Sequence, residues 1–490
     1  MKKILIRTPF LILKKSKNIE KFFNSRKKLF KIKIAIQISH PKHNKSAQYF
    51  YIIKYLIYNI YSPGCIIMTF TYKPRIIDEE IDEYLEMIGA ILIEGPKWCG
   101  KTTTAEQHSK SSIKLQDTDQ SENYLRWAKL QPSVLLEGEK PRLIDEWQMA
   151  PILWDAVRNS VDELHEDGLY ILTGSTSIDE VEVMHTGTGR IHRVVMRTMS
   201  LFESGESNGK IPILDLFENP NMNIDGISSD LTIKDLIFSA CRGGWPESLN
   251  KNSEKAQLFV AKSYVKNICE INVSSFDDVK RDPQKVRNIL RSYSRNISTL
   301  ASNSTILADI NSEFQNISKN TYYKYINALK RLFVIEDVQS WSPNIRSKSS
   351  IRSTPKKEFS DPSIAVASLG LSPKILMEDL NTFGFIFETL CIRDLRVYTS
   401  KKWGEISYYR DRTGLEADCV IHLENGDYAL IEFKLGSDEI EKGAKNLLKL
   451  KNLLKEKNFK EPKFLAVITG GKFAYTTKDN VKVIPIGCLR

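Results

Sequence analysis

Paired cysteines are what this chain most clearly lacks. Cys65, Cys99, Cys241, Cys269, Cys391, Cys419 and Cys488 are scattered and odd in number, and no two have CxxC spacing. A disulfide framework and a zinc ribbon are set aside, and a reducing, cytoplasmic setting is expected. Long apolar runs are missing too. Residues 50–61 come nearest, but they include Lys54 and Asn59 and fall short of the ~20 residues that span a bilayer. No membrane partner is expected. Acid is missing from one region: residues 1–67 hold fifteen Lys/Arg and a single Glu, a charge of +14, whereas the other 423 residues sum to −3. The overall +11 therefore does not argue that the body of the chain binds nucleic acid.

Residues 1–67 also show no steady helical or strand period. They read as a disordered or mis-assigned extension ahead of a true start at Met68. A basic interaction arm and a targeting peptide are the alternatives, the latter weakened because Arg7 and Pro9 break the apolar run of residues 1–13.

What is present is sharper. Residues 91–104, ILIEGPKWCGKTTT, read as a buried strand running into Gly95-x-x-x-x-Gly100-Lys101-Thr102. That is the spacing of a phosphate-binding loop. The backbone from Gly95 through Pro96, Lys97, Trp98, Cys99 and Gly100 wraps a phosphate with its N–H groups. Lys101 reaches the β- and γ-phosphates, and Thr102 offers its hydroxyl to magnesium. Thr103 continues the helix, whose positive N-terminal end adds to the attraction. The implied ligand is a nucleoside triphosphate with Mg2+.

Residues 142–146, RLIDE, form an apolar strand ending in two acids. In phosphate-loop enzymes an acid here holds the metal, which assigns Asp145 to magnesium. Glu146 then orients or polarises the attacking water. The next apolar strand, 169–172, ends at Thr173-Gly174-Ser175, where a hydroxyl either senses the γ-phosphate or closes an ordinary turn. In 187–193, GTGRIHR, Arg190 or Arg193 is a candidate arginine finger, acting within the chain or across a homo-oligomer interface, or else a plain surface residue.

At 490 residues the length suggests about three domains. Ile77, Ile81, Leu85 and Ile88 recur at helical spacing, so residues 78–87 form an amphipathic helix. Strand and helix signals alternate to residue 205, giving a phosphate-loop α/β domain over 68–205. Polar residues and glycines make 206–250 a linker or lid, with a helix over 231–240 stopped by Gly243-Gly244. Residues 251–345 read as helical. Helices over 307–314 and 321–332, a polar break at 315–320 and a strand at 333–338 suggest a winged helix. Its second helix would present Tyr322, Tyr323, Lys324, Lys330 and Arg331 to DNA or RNA, or would serve protein packing instead. Residues 342–357 are basic without acid and read as a solvated linker or a phosphate-contacting strip.

In the remaining domain, 346–490, strands over 415–423 and 428–435 flank Glu424-Asn425-Gly426-Asp427. Leu415, Ala417, Cys419, Ile421 and Leu423 share one face, as do Ala429, Ile431, Phe433 and Leu435. Burying both sets together puts Asp418 opposite Glu432 and Glu416 opposite Lys434, through a type I turn with Gly426 as bulge residue. Three carboxylates and a lysine on one face call for a second divalent metal. Asp418 with Glu432-Phe433-Lys434 resembles the D…ExK core of restriction-endonuclease-like nucleases, with Ala417 where that motif has proline. Glu388, on a helix over 383–393, is the candidate helix acid. A solvated salt-bridge cluster on the same fold is the alternative.

Taken together, GPKWCGKTTT, LIDEWQ, ILTGS, GTGR, MSLFESGES, RGGWPES, FGFIFETL and EADCVI…YALIEFKLG make the chain resemble prokaryotic AAA-type ATP-binding proteins with a C-terminal domain of uncharacterised function. The resemblance covers roughly residues 68–490. It implies an ATPase core, a helical or winged-helix middle and a nuclease-like terminal domain, with ATP bound at Gly95, Gly100, Lys101 and Thr102. The expected function is an ATP-driven switch acting on a partner, nucleic acid or protein. An ATP-regulated endonuclease and a non-catalytic regulator are the alternatives.

Overall fold

The computed structural model describes residues 72–490, apart from 176–185, 274–278, 280, 314–315 and 345–352. The extension at 1–67 and the expected start at Met68 lie outside the described residues, as do parts of the 315–320 break and the 342–357 strip. Residues 72–490 form one compact unit.

The first sheet has five parallel strands in the order β2-β3-β4-β1-β5. They are β1 (Ala90–Glu94), β2 (Ser111–Lys114), β3 (Arg142–Asp145), β4 (Tyr170–Gly174) and β5 (Ile191–Val195). Every residue of β1 and β4 is buried, as expected where a parallel sheet is covered on both faces. Alternation divides β1 between two cores. Ala90 and Leu92 pack with Leu153, Trp154 and Val157 of helix α3 (Ile152–Leu164). Ile91 and Ile93 pack with Ile77 and Ile81 of α1 (Ile77–Leu85) and with Ala105 of α2 (Lys101–His108). Because the strands are parallel, their carboxyl ends lie along one edge, and the loops after β1, β3 and β4 meet there.

Residues 206–230, expected as part of a linker or lid, pack closely: Ile211, Ile213, Leu216 and Ile224 are fully buried, and Ile211 bridges Leu489. Helices α4 (Ile233–Arg242), α5 (Glu254–Asn267), α6 (Pro283–Arg295), α7 (Asn303–Glu313) and α8 (Lys319–Arg331) follow. α4 starts at a capping box between Thr232 and Asp235 and stops at Gly243. The strand expected at 333–338 appears as two bridges, Ile335 to Phe359 and Val338 to Lys356. Beyond it lie α9 (Pro362–Leu369) and α10 (Leu380–Tyr398). One continuous apolar core runs from Leu201 to Leu489 and joins the helical middle to one face of the second sheet, whose other face has a core of its own. Periodicity could not show this, because it reports that a face is apolar and not which element covers it.

The second sheet is seven-stranded, in the order β11-β12-β10-β9-β8-β7-β6. Its strands are β6 (Gln339–Ser340), β7 (Glu405–Arg410), β8 (Glu416–His422), β9 (Tyr428–Lys434), β10 (Leu465–Thr469), β11 (Tyr475–Thr476) and β12 (Val481–Pro485). Helix α11 (Ile440–Glu456) crosses from β9 to the parallel β10 and covers one face. The β8–β9 ladder pairs Cys419 with Ile431 and Ile421 with Ala429, the register that places Asp418 toward Glu432. Gly426, at φ 76°, donates its N–H to the Leu423 carbonyl at 2.9 Å, and the Leu423 N–H bonds Asp427 O at 2.8 Å. The expected single apolar face is corrected at one point. Ser407 pairs with Val420 and Tyr409 with Ala417, so Asp418 and Cys419 together oppose Tyr408 as a bulge. Ala417 therefore joins Val420 beneath α11, while Cys419 and Ile421 face the other core.

Candidate functional sites

The phosphate loop leaves β1 at Gly95, whose φ is 148° and where a Cβ would lie 2.1 Å from the Met196 carbonyl oxygen. No side chain fits there. Gly100, at φ 107°, caps α2 in a left-handed conformation. Lys101 is buried and donates its ammonium to the carbonyls of Gly95 (2.9 Å) and Pro96 (2.8 Å). Lys97 reaches Asn272 at 3.3 Å, and the half-exposed Trp98 lies 6.2 Å from the ring of Tyr264. Cys99 is buried, with its thiol 3.5 Å from Met196 O.

At the foot of the loop three strand ends converge. Thr102 donates its hydroxyl to Asp145 Oδ1 at 2.8 Å, and Thr173 donates to the same oxygen at 2.5 Å. The Thr173 hydroxyl in turn accepts the Glu146 N–H at 3.2 Å. Glu146 has left-handed backbone, φ 57°, and its carboxylate accepts from Gln148 and from Ser175, the latter at 3.4 Å. Buried Trp147 Nε1 and Gln148 Oε1 have no partner among the described residues, and both lie within about 3.0 Å of the Cβ position of Gly174. A hydroxyl and a carboxylate side by side, next to buried polar groups with unused capacity, suit a magnesium ion held by one or two protein oxygens plus phosphate. Thr103, on the helix, accepts from Gln107 through its carbonyl, and its side chain makes no hydrogen bond to this group among the described residues.

The candidate arginines lie elsewhere. Arg190 precedes β5, and its carbonyl accepts from Ala90, at the opposite end of β1 from the loop. Its guanidinium pairs with Asp162 at 2.7 Å. Four residues of strand, roughly 13 Å, separate it from the loop, so an in-chain finger role for Arg190 is not supported. Arg193, mid-strand on β5, is exposed and lies 5.6 Å from the Trp154 ring.

Sequence reasoning missed Arg75. Its buried guanidinium donates to the Cys99 carbonyl (2.9 Å), the Arg197 carbonyl (2.8 Å) and Glu203 (3.1 Å), bracing the loop against the chain leaving β5. Next to this brace, Arg197 pairs with Glu336 at 2.5 Å, and Arg396 of α10 approaches the same carboxylate at 3.4 Å. Burial would raise the Glu336 pKa, but Arg197 and Arg396 overcome it and hold it at about 2.

The terminal hairpin differs from expectation in three respects. Glu416 is not in the cluster: it is half-exposed and reaches Arg410 of β7 at 3.6 Å. The bulge accounts for this, because Asp418 uses its carboxylate to accept the Phe433 N–H at 2.9 Å where β8 and β9 part. Second, the remaining charges are not solvated. Lys434 lies 2.7 Å from Glu432 and 3.5 Å from Asp418, with little exposure of any of the three. Third, Lys356, expected in a linker or phosphate strip, is buried against Glu388 at 2.5 Å. Burial pushes Glu388 up to about 8 against the pull of Lys356, and Glu432 up to about 7, while Asp418 is held low by Lys356 and Lys434 despite its burial. Glu388, Asp418 and Glu432 share the ammoniums of Lys356 and Lys434. Among the described residues no group of three or more His, Cys, Asp or Glu is arranged to hold a metal ion. The expected second divalent site is therefore not supported among the described residues.

On α8, the helix expected to face DNA or RNA, Tyr322 is fully buried and bonds Asn303, while Tyr323, Lys324 and Lys330 are exposed, Lys330 pairing with Asp337 at 2.8 Å.

Fold and loop together define a P-loop nucleoside-triphosphate-binding domain, and residues 88–204 match the AAA domain family. Residues 233–375 and 383–489 match two families, each described as a domain of unknown function (DUF8612 and DUF4143). No curated protein matches the chain. Among solved structures it is similar to the Walker-type ATPase of Pyrococcus abyssi, at 14% identity and a TM-score of 0.36, over 59% of this chain and 94% of that one. It is also similar to a signal transduction ATPase with numerous domains and a tetratricopeptide repeat sensor from Pyrococcus horikoshii. That likeness is at 12% identity and a TM-score of 0.22, over 68% of this chain and 50% of that one. No helix among the described residues is long and apolar enough to cross a membrane.

Proposed function

We propose that the protein hydrolyses ATP and uses its nucleotide state to set how the helical and terminal regions engage a partner. The observation that carries this reading is the convergence of Thr102 and Thr173 on Asp145 with Glu146 turned into the same space. The loop amides and Lys101 hold the phosphates. Thr102 and Asp145 would hold magnesium, which supplies neutralisation of charge on the β- and γ-phosphate oxygens. Glu146, oriented by Gln148 and Ser175, aligns a water against the γ-phosphorus and accepts its proton as the bond to the bridging oxygen breaks, leaving ADP and phosphate. Thr173 ties the Glu146 backbone to Asp145, so the two acids move together.

The switch reading is supported by the Arg197–Glu336–Arg396 contact, which joins the chain just after β5 to α10. A homo-oligomer would let a neighbour's Arg190 or Arg193 serve as finger. The partner's class is left to experiment: exposed Tyr323, Lys324 and Lys330 of α8 are the residues that would meet DNA or RNA. The test is ATP turnover by the full chain with magnesium, alone and with DNA or RNA. Turnover lost in Lys101→Ala and in Glu146→Gln, with ATP still bound by the latter, supports the reading. Turnover that survives both variants removes this site from the reaction.

A further inference from the structure

The terminal cluster poses a question that the nucleotide site does not answer: what Lys356 is doing there. Its side chain is 8% exposed, and its ammonium touches oxygen from two elements, the Glu388 carboxylate of α10 at 2.5 Å and the Asp418 main-chain carbonyl of β8 at 3.1 Å. The Asp418 carboxylate is the next charge it senses. The helix carboxylate and the strand carbonyl that meet this ammonium, with the Asp418 carboxylate on the same residue as that carbonyl, are oxygen ligands of the kind a hard divalent cation takes. A lysine from the same chain fills it. The lysine is fixed there by backbone, because Lys356 exchanges N–H···O bonds with Val338 at 2.9 and 3.0 Å. On the far side of Asp418, Lys434 performs the same neutralisation for Glu432.

We propose that Lys356 is a built-in counterion occupying what would otherwise be a divalent-cation site. The cluster is closed by the chain itself, and a metal ion enters only when this ammonium is removed. The proposal stands independently of ATP hydrolysis. It explains why residues that read as metal ligands form no metal-holding group. Removing the ammonium leaves buried carboxyls without their partner, and a divalent cation is the occupant best able to replace it.

The test is Mn2+ titration of the full, metal-stripped chain at pH 7.5, read by electron paramagnetic resonance and thermal shift. Lys356→Ala is expected to gain one Mn2+ site at least tenfold tighter than any in the parent chain. Lys356→Arg gains none, and the gain disappears in Lys356→Ala/Asp418→Asn. A folded Lys356→Ala that gains no site overturns the proposal. So does a parent chain that already binds Mn2+ in a manner lost on Asp418→Asn. If Lys356→Ala fails to fold alone, refolding with Mn2+ decides. Rescue by Mn2+ and not by sodium supports the built-in counterion, and no rescue overturns it. Lys356→Met/Glu388→Gln, which removes both charges, folds without metal on this view.

Discussion

Asp145 ends β3 beside Glu146, and Asp418 lies within β8 opposite Glu432; each aspartate is near a second acid, yet they have opposite neighbours. Asp145 is met by two hydroxyls, from Thr102 and Thr173, while the nearby Lys101 spends its ammonium on loop carbonyls. Asp418 has Lys434 at 3.5 Å and Lys356 bonded to its own carbonyl. A hydroxyl stabilises a carboxylate without cancelling its charge, so the first site stays a candidate for a cation. An ammonium cancels the charge and takes the room a cation would need. Acid-rich sequence looks alike in both cases; the difference between an open candidate site and a closed cluster lies in the donors brought to it.

The comparison breaks first if the nucleotide site fails its own test. Lys101→Ala should reduce ATP turnover to background, and Glu146→Gln should lower kcat by about 10²–10⁴-fold with ATP binding retained, as measured by steady-state turnover beside equilibrium nucleotide titration. Next in size is the closed cluster. Lys356→Ala should cost about 3–5 kcal/mol in denaturant unfolding without metal, because it leaves buried carboxyls unpaired, while the Kd for ATP stays unchanged. A cost near zero would mean that the cluster behaves as solvated surface.

Acid titration sharpens the contrast between two buried pairs. Glu388, raised from 4.5 to about 8, binds more protons in the folded state. Its contribution is fully present below about 4.5 and is lost as pH rises through 8. Glu336 is lowered from 4.5 to about 2, so its contribution is present above 4.5 and lost as pH falls toward 2. Glu388→Gln should flatten the decline in Tm between pH 5 and 8, and Glu336→Gln the decline below 4.5. Each change should amount to a few degrees, since a kcal/mol moves a domain of 150–250 residues by about 2–4 °C. The reverse assignment of limbs would place the proton on the wrong carboxyl.

The geometry of the phosphate loop was legible because its signals are local. Gly95, Gly100, Lys101 and Thr102 are fixed by loop geometry within one turn, and Asp145 by the end of an apolar strand. The hairpin register was legible for a similar reason, since alternation over Cys419–Ile421 and Ala429–Ile431 admits one pairing. What failed was non-local. The bulge at Asp418 depends on Tyr408 of a neighbouring strand, and it turned Glu416 away. Lys356 looked like linker because its partners, Val338, Glu388 and Asp418, are distant in sequence. Arg75 carries no motif at all; only the fold brings it to Cys99. Residues 206–230 read as loop because their apolar side chains have no period, yet they are buried against other elements.

The smallest effect bears on where the nucleotide site obtains its last positive charge. The terminal cluster carries its cations within the chain. At the nucleotide loop, Arg190 is bound to Asp162 at the far end of β1, and Arg193 lies exposed beside Trp154. Arg190→Ala should therefore change stability by no more than about 0.5 kcal/mol, as exposed substitutions do, and leave turnover per chain unchanged in dilute solution. Turnover that rises steeply with protein concentration in the parent chain, and loses that rise in Arg190→Ala or Arg193→Ala, would assign the missing charge to a neighbouring copy. Turnover independent of concentration in all three would leave magnesium and Lys101 as the cations that act on the phosphates.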